Sequence, residues 1–108
     1  MFLLVIQLFD VDYKDDLFMA LSAAGVQKTT YCDGHNLDNE LRNDIPLFRG
    51  LFKSGAEKER HASVYFCHAK SEEQADAVIS GFDIAGIDWK AKEIFSMMLI
   101  PISKIYEP

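Results

Sequence analysis

The three histidines and two cysteines carry the side chains best suited to binding a metal ion. They are His35, His61, His68, Cys32 and Cys67. Imidazole and thiolate are common ligands of zinc and copper. The spacing matches no local zinc or redox motif, although Cys32 would approach His61 or Cys67 if their strands were neighbours. The alternative is that the cysteines are small buried residues and the histidines ordinary polar ones. We adopt this alternative and predict no metal site.

Four aspartates, Asp10, Asp12, Asp15 and Asp16, form an acidic cluster. Paired carboxylates can perform acid–base catalysis when one of them is buried. The cluster also falls where a helix is predicted to begin, and acidic residues are favourable there. No Ser/His/Asp, Cys/His or glycine-rich phosphate-loop arrangement stands out in the sequence. The sequence therefore predicts no enzyme and implies no cofactor.

The segment 33–60 contains five of the eleven basic residues, together with Gly34, Pro46, Gly50 and Gly55. Connections longer than about 15 residues within a domain are usually functional or disordered. One interpretation is a solvated surface of balanced charge. The other is a small-anion site in a cleft between subunits, where Gly34 allows close backbone approach. The predicted ligand-binding residues are Gly34, Arg49, Lys90, Lys92 and Lys104.

The same segment contains large apolar side chains at helical spacing. Leu47 and Leu51 form one i,i+4 pair, and Phe48 and Phe52 form another. A short amphipathic helix of this kind can bind in a partner's groove. It can equally pack on its own subunit or a neighbouring one. Leu47, Phe48 and Phe52 are the predicted partner-binding residues.

The flanking segments must position these residues, and their patterns predict six elements. Apolar runs and alternation predict strands at Phe2–Phe9, Val26–Cys32, Ser63–Ala69 and Ile94–Ile102. One helix is predicted from an N-cap at Asp12 to Gly25, and another from a capping box, Ser71–Gln74, to Gly86. The order predicts an α+β, ferredoxin-like βαββαβ plait with a four-stranded antiparallel sheet and a long loop, 33–60, between strands two and three.

The plan has both helices on one face of the sheet and the first and third strands in its centre. Apolar residues on the opposite face would then need a partner subunit. We expect a single domain over residues 1–108.

Composition limits the possible partners. The net charge is −6 and the hydrophobic fraction is 49%, so a nucleic-acid-binding surface is not expected. No apolar run reaches the roughly 20 residues of a membrane span, and the apolar start lacks the features of a signal peptide. Two cysteines without a paired motif fit a reduced compartment. We predict a cytoplasmic protein without membrane insertion.

Several stretches resemble the P-II-like signalling family. Residues Asp15 to Leu21 and Gly25-Val26 resemble its first helix and that helix's exit. Thr29-Thr30 resembles the following strand, Leu47-Phe48-Arg49-Gly50 the family's recognition loop, and Lys92-Glu93-Ile94-Phe95 the start of its last strand. The resemblance implies a ferredoxin-like trimer that binds nucleotide-like ligands between subunits and a target protein through the long loop.

This chain departs from the family pattern at its phosphate-binding positions. The family's glycine-rich turn is replaced by residues 85–92, which keep Gly86, Lys90 and Lys92. Its paired arginines near the last strand correspond to Lys104 and Tyr106, and its modified loop tyrosine corresponds to Lys53.

The sequence therefore predicts a non-catalytic, trimeric regulatory protein. Its ligand would be a small anion in inter-subunit clefts, and its partner a protein bound by the long loop. The alternatives are a small ferredoxin-like enzyme or metal-binding oligomer, and a structural assembly subunit with no ligand.

Overall fold

The chain, seen in a computed structural model, is described over residues 1–37 and 61–108. The strands are β1 (Phe2–Leu8), β2 (Gln27–His35), β3 (His61–Ala69) and β4 (Phe95–Pro101). The helices are α1 (Lys14–Ala23) and α2 (Glu72–Ile84), and a 3₁₀ turn over Val11–Tyr13 connects β1 to α1.

The four strands form one antiparallel sheet in the order β2-β3-β1-β4. This order, with one helix after β1 and one after β3, is the ferredoxin-like plait that the sequence predicted. The central position of β1 and β3 is also confirmed. In the register, Leu4 of β1 lies between Cys67 of β3 and Leu99 of β4.

One sheet face packs against both helices and forms the core. Alternate residues of β1 (Leu4, Ile6 and Leu8) are fully buried, and Leu17 of α1 and Phe82 of α2 cover them. Burying each such side chain contributes about 1.5–3 kcal/mol. The nearly continuous apolar run of β1 follows from its central position, because its other alternate residues meet the second face.

The second face has no helix over it among the described residues. It carries a patch of six apolar side chains, which we call the open-face patch. They come from β1, β3 and β4: Leu3, Val5, Val64, Phe66, Met98 and Ile100. Three of them are clearly exposed, at 43% for Phe66, 46% for Met98 and 45% for Ile100.

Local sequence signals explain where the helices begin and end. The predicted Ser71 cap is confirmed, because the Ser71 hydroxyl accepts a bond from the Gln74 N–H at 3.2 Å. Gly25 and Gly86 follow α1 and α2 with φ of +73° and +74°, a conformation that favours glycine. The predicted Asp12 cap is wrong. Asp10 caps the 3₁₀ turn instead, accepting from the Asp12 N–H at 3.1 Å.

Strand β2 continues through Asp33, Gly34 and His35, which the sequence analysis assigned to the long connection, and β3 begins at His61. Their pairing as an antiparallel ladder explains the extension. The remainder of that connection, including Leu47, Phe48, Arg49 and Phe52, lies outside the described residues. Neither α1 nor α2 is long and apolar enough to span a bilayer, and the described residues contain no other helix that is.

Candidate functional site

The turn before β4, residues 85–94, carries two of the predicted ligand-binding lysines. Its backbone is internally bonded: the N–H groups of Lys92, Glu93 and Ile94 donate to the carbonyls of Asp88, Lys90 and Trp89 at 3.0–3.1 Å. The Ala91 N–H donates to the Asp88 carboxylate at 3.2 Å. Because these four amides are already used, an anion at this turn would be bound by side chains.

Lys90 and Lys92 differ in their surroundings. The Lys92 ammonium donates to the Tyr13 hydroxyl at 3.2 Å, which ties the turn to the segment after β1. The Lys90 ammonium lies 5.3 Å from the centroid of the Trp89 ring. Trp89 itself stacks on Phe95, with ring centroids 4.7 Å apart. The tryptophan therefore anchors the turn to the core and leaves the two lysines at its surface.

Gly34 lies at the same end of the sheet as this turn, which we call the Leu8 end. It pairs with Ala62, and a Cβ at this position would meet the Ala62 carbonyl at 3.8 Å as its nearest described atom. That distance is ordinary contact, so the described part of the fold does not require glycine here. Next to it, the Ser63 hydroxyl donates to the Asp33 carboxylate at 3.0 Å.

One chain does not bring all the predicted ligand-binding residues together. Gly34 and the Lys90/Lys92 turn share the Leu8 end but adjoin opposite edges, three strand spacings or roughly 14 Å apart. Lys104 follows β4 at the other end, which we call the Phe2 end, where Pro101 pairs with Phe2. Its ammonium lies 4.9 Å from the Tyr106 ring centroid. Arg49 lies outside the described residues.

The histidines and cysteines are dispersed. Cys32 is exposed and pairs with Val64, whereas Cys67 is buried on the helix-covered face beside Leu4. Burial raises the pKa of the Cys67 thiol, which a hydrogen bond with Thr29 partly offsets. His35 and His61 are cross-strand neighbours with ring centroids 5.8 Å apart. The described residues include no group of three His, Cys, Asp or Glu side chains that could hold a metal ion.

A polar pocket of about 90 Å³ at the Phe2 end was missed by the sequence analysis. Its described ionisable lining consists of three basic side chains and one acidic one: Lys28, His68, Lys70 and Glu107. Lys28 and Lys70 are separated by 42 positions in the chain, so no local motif could have indicated the site. The pairing of Gln27 with His68 brings them together.

An aromatic cluster on the helix-covered face was also missed. Tyr31 of β2 stacks on Tyr65 of β3 with ring centroids 5.2 Å apart. The ring centroid of Phe18 of α1 lies 5.6 Å from that of Tyr31 and 5.9 Å from that of Tyr65. The Lys14 ammonium lies 4.7 Å from the Tyr31 centroid. This cluster joins the β2 edge to α1.

The chain matches no family model, and comparison with curated proteins finds no relative.

Proposed function

We propose that this chain is a non-catalytic regulatory protein of the P-II-like kind. It assembles as a trimer and binds a small anionic, nucleotide-like ligand in clefts between subunits. The observation that carries the proposal is the open-face patch, because the described chain leaves it uncovered by any helix of its own.

The composition of that face favours burial by other copies of the chain. The six side chains of the patch are contiguous across the three strands β3, β1 and β4. Apolar patches on soluble proteins usually mark interaction surfaces, and symmetric association is the commonest way to cover one. Polar side chains border the patch toward the Leu8 end, where the Ser96 hydroxyl donates to the Gln7 amide oxygen at 3.1 Å.

Association also supplies what one chain lacks at the ligand site. Gly34 and the Lys90/Lys92 turn adjoin opposite sheet edges, so neighbouring copies can place the edge of one beside the turn of the next. Lys104 enters such a cleft from a second copy, because within its own chain it lies at the far end of the sheet. Side-chain ammonium groups then bind the anion, since the amides of residues 91–94 are occupied.

The protein partner is assigned to Leu47, Phe48 and Phe52, and an additional cation to Arg49, on the sequence alone. These residues complete the proposal as a ligand-responsive regulator, in which ligand favours one arrangement of the long segment.

The test combines light scattering with thermal shift. We expect a mass of three chains and a ligand-linked rise in melting temperature with at least one of ATP, ADP, AMP, cyclic nucleotides or bicarbonate. K90Q/K92Q should reduce that rise. K14Q is the matched control, because Lys14 lies near the same sheet end but on the helix side, over Tyr31. A monomer that responds to none of these compounds would overturn the proposal.

The metal-binding alternative has one supporting observation, the His35–His61 pair. Two imidazoles on adjacent strands would need further ligands from a second copy. Two results together would favour this alternative. The purified protein would contain stoichiometric metal by mass spectrometry, and H35A would lose it. None of the compounds in the thermal-shift series would raise the melting temperature.

A further inference from the structure

The pocket at the Phe2 end is defined by an ion pair between distant parts of the chain. The segment after β4 places the Glu107 carboxylate 2.6 Å from the Lys28 ammonium of β2. The same carboxylate oxygen lies 4.0 Å from the His68 Nδ1 atom. Lys28 lowers the pKa of Glu107, so this carboxylate is charged at neutral pH.

The backbone at Lys28 has an unusual conformation that places its side chain at the pocket. Lys28 has φ of +54°, in the left-handed region that lysine rarely adopts. It sits in a β-bulge, because Lys28 and Thr29 together oppose the single residue Cys67 between the Gln27–His68 and Thr30–Phe66 pairs. Bulges redirect side chains, and strained residues concentrate at functional positions.

The pocket holds more positive charge than Glu107 can neutralise. Lys28, Lys70 and, when protonated, His68 face a single described carboxylate. The Gln74 amide also lines the pocket, and the first turn of α2 begins beside Lys70. The pocket, with a volume of about 90 Å³, has room for one tetrahedral oxyanion.

We infer that this pocket is a binding site for a phosphate group, which Glu107 occupies as an internal competitor. An arriving phosphate dianion replaces the carboxylate on Lys28 and also interacts with Lys70 and His68, whereas the single charge of Glu107 leaves the pocket net positive. The site lies within one chain. It is therefore independent of the trimer and of the Lys90/Lys92 cleft.

The test is an NMR titration of the full chain with inorganic phosphate at constant ionic strength. Amide shifts should concentrate at Lys28, His68, Lys70 and Gln74. E107Q should bind phosphate roughly threefold to fivefold more tightly, because the exposed carboxylate no longer competes for the Lys28 ammonium. K28Q should lose most of the affinity, and K70Q should weaken it.

D83N is the matched control for E107Q. It also removes one negative charge, but at the end of α2 that lies away from the pocket, so D83N should bind phosphate like the wild type. Acetate, a monoanion, should shift the same amides more weakly than phosphate. A phosphate monoester that matches inorganic phosphate would show a ligand whose remainder extends outside the pocket, and one that does not bind would restrict the site to the free ion.

Identical phosphate affinities for the wild type, E107Q and K28Q would overturn the inference. So would phosphate shifts centred on Lys90 and Lys92 alone, a result that would leave the proposed function standing. Circular dichroism of each variant establishes that the fold is retained.

Discussion

At the scale of single residues, Tyr65 carries a buried side-chain hydroxyl whose hydrogen bonding is incomplete. Its ring is fully buried and stacked on Tyr31, while its hydroxyl has no hydrogen-bond partner among the described residues. Burial raises the pKa of Tyr65. A buried hydroxyl without a partner costs free energy that the ring's packing must offset.

We therefore expect Y65F to be more stable than the wild type, by about 1 kcal/mol in the free energy of unfolding measured in urea. The raised pKa gives a second expectation. Because the folded state holds the Tyr65 proton more tightly than the unfolded state, this proton stabilises the fold fully below the unfolded-state pKa of 10.0. The stabilisation is lost as pH rises through the higher pKa of the folded state. Above pH 10 the wild type should lose stability more steeply than Y65F.

Y31F is the control for this prediction, since Tyr31 is partly exposed and its hydroxyl need not be buried. It should change the unfolding free energy by less than about 0.5 kcal/mol. A loss of 1 kcal/mol or more in Y65F would mean that the hydroxyl has a partner, and would contradict the interpretation.

At the scale of elements, Gln74 connects α2 to α1. Its side-chain oxygen accepts from the Lys70 N–H at 2.7 Å. Its amide nitrogen donates to the carbonyls of Ala24 and Gly25, at 3.1 and 2.8 Å, just beyond the end of α1. One side chain thus completes the cap of one helix and binds carbonyl groups at the exit of the other.

Q74A should lower the free energy of unfolding by about 2 kcal/mol, because it removes three side-chain hydrogen bonds. Q74E should cost at least as much, because it loses the two bonds to Ala24 and Gly25 and places a carboxylate oxygen against their carbonyl oxygens. Urea unfolding measures both. Wild-type stability in Q74E would show that the connection to α1 contributes nothing.

The order and type of the elements could be predicted because each carried a local signal. The Ser71 cap, the alternation in β3 and the glycines at 25 and 86 all act over a few residues. The Asp12 cap failed for a related reason. Asp10 offered a competing local cap for a 3₁₀ turn, and the choice between them depends on where β1 ends.

The sites were less predictable because they depend on register. Lys28, His68, Lys70 and Glu107 meet only once β2 and β3 pair and the segment after β4 returns across the sheet. Lys104 was assigned to a cleft with Lys90 from its charge and from the family resemblance. Strand length alone places it about 20 Å away within one chain.

At the scale of the whole molecule, the two sides of the sheet differ in what covers them. The helices cover one side and leave isolated apolar residues outside, such as Met19 on α1 at 72% exposure. The other side presents the open-face patch as a continuous surface. Scattered exposed apolar residues are ordinary, whereas a contiguous patch usually marks an interaction surface, so the two sides should respond differently to the same substitution.

M98E and M19E make that comparison with one residue type. A charge at Met98 would have to be desolvated between the copies of the proposed trimer, so M98E should reduce the light-scattering mass from three chains to one. M19E should leave the mass unchanged, because Met19 lies on the helix side. F66E, on the β3 side of the patch, is a second variant with the same expected result. Circular dichroism should show folded protein throughout. If M98E and F66E keep the wild-type mass while folded, the open face is not the surface that joins the copies, and the cleft that depends on it does not form.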